Sequence, residues 1–432
     1  MIIQNKSKFL LINAFNSFVL NIISTLLLFI SSIFYARILG ANEYGIYLYF
    51  SSWVAILGIP VGLGTREYFV REAAVIYSSS DNARLQQLVT WGSISVTQSY
   101  IATAIVASFV AWKFDILVSE TYLFTFLAAL PLVLIAAQTG IRFAVLRGLN
   151  QIVLAQIPES LFKPLFQIIL VFFAWLYFHN LNSWNIMLLA TICAGCAFLF
   201  SNLFLHRIFP SLGSIIPISK EQKVRWFRST LPFMLISGLF LLNNQINIIM
   251  LGSMGPPRDA AVFRVASYGA EFISFILMAA NISIAPTIAQ LWQNRDIGEL
   301  QKMITKSVRT VVLFSLPLTT VLFLLSDRLL ALFGVEFVQG IFVMKLLCLA
   351  QFFNTAVGSV GLILNMCNSE NLTAWGVGLS FLLNILFNWY LIPQWGINGA
   401  AIATTISLTT WNIFLLFSVR KITGIKPTVF GL

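Results

Sequence analysis

From about residue 14 to about residue 418 the chain is a succession of mostly apolar runs of about twenty residues, separated by short connections. A helix needs about 20 apolar residues to cross the roughly 30 Å hydrocarbon layer of a bilayer. Twelve runs meet that length, at about 14–36, 45–65, 90–112, 121–140, 152–178, 184–205, 230–252, 266–290, 309–326, 339–365, 373–392 and 398–418. Composition agrees, with 59% hydrophobic and 9% charged residues and a mean hydropathy of +0.88. No water-soluble core hides that much apolar surface, so the chain reads as an all-α polytopic membrane protein. Its opening "MIIQNKSKFLLINAF" is basic and then apolar, as in a signal peptide. It lacks a small-residue cleavage site and is expected to be the first transmembrane helix.

Lysine and arginine set the orientation, because translocating them is unfavourable. With the N-terminus in the cytoplasm, nineteen of the 26 basic residues fall in cytoplasmic segments and five outside. The remaining two, Lys163 and Lys345, lie within spans. Both termini are therefore expected inside. The net charge of +11 is then explained by basic loops facing an anionic inner leaflet, without nucleic acid. The longest connection, 206–229, is basic and divides a six-helix bundle at 1–205 from a second at 230–432.

The two halves share weak similarity. Leu39-Gly40 aligns with Leu251-Gly252, Ile46-Tyr47 with Val262-Phe263, and Asn150 of "VLRGLNQ" with Asn368 of "ILNMCNS". With six spans per half the repeats run parallel. Two such bundles around a central cavity suit alternating access.

Polar groups within the spans are the candidate functional residues. Glu159 and Lys163 stand four apart between Pro158 and Pro164 in the fifth span. That spacing predicts an ion pair on one helix face, with Glu159 balancing Lys163. Glu271 and Lys345 lie near the outer ends of their spans. Asn243 and Asn247 share a face, as do Gln351 with Asn354 and Asn384 with Asn388, and Asn281 adds another amide. Such rows hydrogen-bond helices together or serve sugar hydroxyls. Seven prolines within spans, among them Pro60, Pro131, Pro286 and Pro317, are expected to bend their helices. Cys193 and Cys196 form a CxxC in an apolar run, read as small packing residues. No metal-site, nucleotide-loop or hydrolase motif occurs in the sequence, and neither a cofactor nor a metal is expected.

"FYARILGANEYGIY", "LRGLNQ" and "LFNWYLIPQWGINGAAIATTIS" resemble segments of the polysaccharide transporter branch of the multidrug/oligosaccharidyl-lipid/polysaccharide (MOP) superfamily, the Wzx-type flippases. The last segment carries Asn388, Leu391-Ile392-Pro393, Gly396-Ile397, Gly399-Ala400-Ala401 and Thr404. The resemblance implies a transporter, not an enzyme. It would flip a polyprenyl-pyrophosphate-linked oligosaccharide, such as an O-antigen unit, to the periplasmic leaflet of a prokaryotic plasma membrane. It also implies a polysaccharide polymerase and chain-length proteins as partners, and proton or sodium coupling as a candidate drive. On this reading Lys163, Arg66, Arg142, Arg147, Arg264 and Lys345 are candidates for the pyrophosphate. Asn243, Asn247, Asn281, Gln351, Asn354, Asn384 and Asn388 are candidates for the sugars, with Glu159 and Glu271 for charge balance or ion coupling. Two alternatives stand beside it. An ion-coupled multidrug exporter of the same superfamily would want buried carboxylates, which the first and seventh spans lack. An oligosaccharide polymerase or ligase would want catalytic residues in large outer loops, and these loops are short.

Overall fold

A computed structural model describes residues 2–79, 81–117, 119–209 and 217–429, with side chains omitted for 2–15 and 18. The charged groups of Lys6 and Lys8 and residues 210–216 of the basic connection thus lie outside the described residues. Every regular element among the described residues is helical, and ten helices are long and apolar enough to cross a membrane.

The chain forms two compact units, Met1–Leu39 with Phe50–Leu241, and Gly40–Tyr49 with Leu242–Leu432. The first contains most of α1 (Ile2–Gly62), then α2 (Thr65–Ser78), α3 (Asn82–Lys113) and α4 (Glu120–Gly148). It continues with α5 (Ile152–Ile157), a π-helical turn (Pro158–Phe162), α6 (Lys163–Phe178) and α7 (Ser183–Ile208). Helix α8 (Lys220–Met254) begins in the first unit and ends in the second. The second unit adds α9 (Pro257–Gln293), α10 (Ile297–Leu324), α11 (Ser326–Ala331) and a 3-10 turn (Val335–Gly340). It closes with α12 (Ile341–Val357), α13 (Val360–Met366) and α14 (Glu370–Thr423).

Helices α1 and α14 are 61 and 54 residues long, about 92 and 81 Å if straight at 1.5 Å per residue. Each is broken once by a glycine in a conformation closed to other residues, Gly40 (φ 71°, ψ 172°) and Gly396 (φ 52°, ψ −128°). At the first break the Ala41 N–H donates to Glu336 Oε2 at 2.8 Å, so a carboxylate from the 3-10 turn caps the new helix segment. At the second, Asp259 Oδ2 lies 3.7 Å from where a Cβ on Gly396 would stand. A Cβ on Gly45 would fall 1.9 Å from the Pro257 carbonyl oxygen. These contacts bring the Gly40 corner, the start of α9, the 3-10 turn and the Gly396 corner to one end of the second unit. Past the second break, a Cβ on Gly399 would fall 2.3 Å from the Leu391 carbonyl oxygen, and Ala400 and Ala401 are fully buried. The Gly-Ala-Ala segment therefore lets α14 fold back closely on itself.

The Asn150 and Asn368 alignment coincides with matching local geometry. Each asparagine follows a helix end in a left-handed conformation, φ 61° and 58°. In each case the next residue donates back five positions, Gln151 N–H to Leu146 O and Ser369 N–H to Leu364 O, both at 2.9 Å. Both corners are Schellman-type caps with asparagine in the glycine position. A second pair went unnoticed in the sequence. Asp81 and Asp296 cap α3 and α10 by accepting the Arg84 and Glu299 N–H at 3.0 and 3.1 Å. Leu85 and Leu300, four residues on from each cap, are both buried.

Two expectations about the spans need correction. The run at 339–365 is not one helix, because Gly358 (φ 81°) and Ser359 separate α12 from α13. The polar stretch after residue 65 is not a loop but the helix α2, which buries Tyr68, Phe69, Ala73 and Ile76.

Candidate functional site

In the second unit, α8, α9, α12 and α14 enclose a polar cavity of about 260 Å³. Asn243, Asn247, Arg264, Glu271, Gln351, Asn354 and Asn384 all line it. Asn388 supports it from behind, donating at 2.8 Å to both Asn247 Oδ1 and Asn384 Oδ1. Asn384 Nδ2 in turn lies 3.5 Å from Asn243 Oδ1, and Asn354 donates to Gln351 Oε1 at 3.2 Å. The amide ladder ties α14 to α8, and it leaves the Asn388 Oδ1 buried with no donor among the described residues.

Arg264 and Glu271 are the charged residues of this lining. They stand two turns apart on α9, about 10.5 Å along its axis. The arginine spans that rise by lying over the Tyr268 ring at 4.0 Å and reaching Glu271 Oε1 at 2.9 Å. Arg264 is thus not an outer-loop residue, because α9 starts at Pro257 rather than near 266.

Sequence reasoning missed Ser267, Ser274, Ser380, Thr404, Ser407 and Trp411, which also line it. A signal for them was present. Ser380, Asn384 and Asn388 recur every four residues, as one polar stripe of a helix does. Two other predicted residues are elsewhere. Lys345 is half-buried with its ammonium 5.1 Å from the Phe323 ring, and Asn281 keeps a buried Oδ1 without a donor among the described residues. Neither lines the cavity.

The first unit has its own cavity of about 260 Å³, more apolar, lined by parts of α1, α2, α4 and α8. Two successive left-handed residues, Leu63 (φ 51°) and Gly64 (φ 66°), turn the chain into α2 and set Arg66 in the wall. The Arg66 guanidinium lies over Phe143 at 4.2 Å and pairs with Glu159 Oε2 at 3.1 Å. Each unit therefore presents an arginine held between an aromatic ring and a carboxylate.

The expected pairing of Glu159 with Lys163 does not form. Pro158 and Pro164 supply no N–H, and the Lys163 N–H bonds back five residues to the Pro158 oxygen. Residues 158–162 thus form a π turn rather than a regular α-helical one. Glu159 goes to Arg66, and Lys163 makes no ion pair among the described residues. Lys163 is half-buried and lies outside this cavity lining. Arg147 is exposed on α4. Arg142, also on α4, reaches Ser93, Gln138 and Asn202 rather than the cavity.

The fold is that of MOP-superfamily transporters. It is similar to an inward-facing multidrug-resistance MATE-family transporter of that superfamily, at TM-score 0.74 and 15% identity over 95% of this chain and 98% of that one. It is also similar to the lipid II flippase MurJ in an inward closed conformation, at TM-score 0.65 and 15% identity over 91% and 87%. Residues 10–292 match the polysaccharide biosynthesis protein family, and the chain belongs to it. Among curated relatives, the probable low-salt glycan biosynthesis flippase Agl15 of Haloferax volcanii is 25% identical over 33% of this chain and 31% of its own length. The probable flippase AglR of the same organism is 24% identical over 43% of this chain and 39% of its own. The capsular polysaccharide biosynthesis protein CapF of Staphylococcus aureus is 23% identical over 56% and 60%. The matches thus span about a third to three fifths of these relatives.

Proposed function

We propose that this protein flips a polyprenyl-pyrophosphate-linked oligosaccharide across the cytoplasmic membrane of a prokaryote by alternating access, with twelve crossings and both termini inside. The observation that carries this reading is the lining of the second-unit cavity. Amides and hydroxyls dominate it, a tryptophan is present, and the arginine and glutamate neutralise each other. Sugars need such paired donors and acceptors. A cation exporter would need a carboxylate not already committed to an arginine, and Glu271 is committed. In the first unit, Arg66 is the group suited to pyrophosphate. Its fork binds phosphate oxygens two at a time, and substrate oxygens would exchange with those of Glu159.

The test is a strain depleted of this protein. Lipid-linked oligosaccharide should accumulate in the cytoplasmic leaflet, shielded from an enzyme added outside. Rescue should follow the unaltered chain and fail with Asn243, Asn247 and Asn384 all changed to leucine. Normal appearance of glycan outside in the depleted strain, with no second transporter present, would refute the reading.

A further inference from the structure

We infer that Arg142 holds the phosphate of an anionic phospholipid on the membrane-facing side of the first unit. On α4 the residues lining the first-unit cavity are Val133, Ala136, Ala137 and Gly140. At about 100° per residue, Arg142 lies roughly 140–240° around the helix from each of them, on the opposite face. That face packs towards α3 and α7. Arg142 Nη1 donates to Ser93 Oγ at 3.1 Å and to the Gln138 carbonyl oxygen at 3.1 Å, and also contacts Gln138 Oε1. Its Nε reaches Asn202 Oδ1 at 3.5 Å, and the guanidinium lies over Phe198 at 4.9 Å.

All of these partners are neutral. Among the described residues Arg142 makes no ion pair, and its Nη2 has no protein acceptor. The position is six residues from the end of α4 at Gly148, about 9 Å along the helix, so the charge sits near the edge of the hydrocarbon layer. Next in sequence to its partners Ser93, Phe198 and Asn202 stand Ile94 on α3 and Leu199 and Leu203 on α7, which are 51%, 59% and 63% exposed within apolar helices. An oriented guanidinium with one open edge and hydrocarbon on both flanks matches a ligand with an anionic head and acyl chains. Neutral dipoles orient a charge but do not cancel it, so the missing counter-charge must come from outside the chain. The substrate pyrophosphate is a poorer match, because this face is turned away from the cavity that holds Arg66.

Native mass spectrometry of the full chain tests this. The protein is presented with equimolar phosphatidylglycerol and phosphatidylcholine of identical acyl chains. The most tightly retained lipid should be phosphatidylglycerol, by about tenfold, the size of one charge-assisted hydrogen bond. Arg142→Gln should bring the ratio to within twofold of unity. Asn202→Asp should do the same, because the isosteric carboxylate supplies the counter-charge internally. That variant decides the matter if Arg142→Gln does not fold. Binding of a short-chain polyprenyl pyrophosphate should be unchanged by Asn202→Asp, and millimolar inorganic phosphate should not displace the lipid. A phosphatidylglycerol preference that survives Asn202→Asp overturns the proposal. So does parallel loss of pyrophosphate-lipid binding, which would assign Arg142 to the substrate, or displacement by inorganic phosphate, which would make it a free-anion site.

Discussion

Asn388 is fully buried and serves two acceptors on two helices. Replacing it with leucine leaves Asn247 and Asn384 each with an amide oxygen that has lost its donor. Interhelical hydrogen bonds in membranes are worth about 0.6 kcal/mol on average and up to about 1.7. Asn388→Leu should therefore lower stability by about 1–3 kcal/mol, read by reversible unfolding in micelles. The Arg66–Glu159 pair behaves differently. Half of the arginine side chain is exposed, so the pair contributes only about 0–1 kcal/mol to stability. Its removal should show in binding instead. Arg66→Ala should weaken a polyprenyl pyrophosphate by about tenfold or more, whereas Glu159→Gln, by freeing the guanidinium, should tighten it. An unchanged Kd in Arg66→Ala would remove this residue from the site. Residue types were legible in the sequence here, and partners were not. The seven amides and the two span lysines, Lys163 and Lys345, were chosen by type and depth, but a helix phase decides where each points. Arg142 and Gly140 differ by only two residues and face opposite ways.

At the scale of elements, hydropathy located the spans but not their breaks. Gly40 and Gly396 carry no sign in a hydropathy profile that separates them from the other glycines. Their role comes from a backbone conformation that only glycine adopts cheaply, and from the carboxylates of Glu336 and Asp259 placed beside them. Gly396→Ala should cost about 1–3 kcal/mol through strain alone, since a Cβ there meets nothing closer than 3.7 Å. Gly399→Ala tests a different cause. Its Cβ would strike a backbone oxygen at 2.3 Å, so α14 would have to open, and the thermal midpoint should fall further than for Gly396→Ala. Equal effects would show that close packing across the break does not matter. The motif behind the family resemblance is thus largely a folding device, with Thr404 and Ser407 in the cavity lining and Asn388 supporting it from behind. The π turn was equally hidden. Two prolines six apart announced a disturbance, but not that bonding would move by one residue and hand Glu159 to another helix.

For the whole molecule, the two broken helices decide how often the chain crosses the membrane. A straight helix of about 81 Å would extend far beyond a 30 Å hydrocarbon layer. On the topology proposed above, each break would serve as a turn, so that the ten apolar helices would make twelve crossings and both termini would share one side. The Gly40 and Gly396 corners meet the start of α9 and the 3-10 turn at one end of the second unit, which is the side the positive-inside count assigns to the exterior. Single cysteines at Asn42 and Asn398 should therefore react with a membrane-impermeant maleimide added to intact cells. Cysteines at Arg147 and Lys223 should react only after permeabilisation. The background is low, because Cys193 and Cys348 are buried in spans and burial pushes the Cys367 thiol up to about 11. Only Cys196 is partly accessible and would be changed to serine. Labelling of 42 and 398 from opposite sides would break the even count and, with it, the placement of both termini in the cytoplasm. Labelling of 147 from outside would invert the whole chain, and Arg66 could then not receive a pyrophosphate made in the cytoplasm.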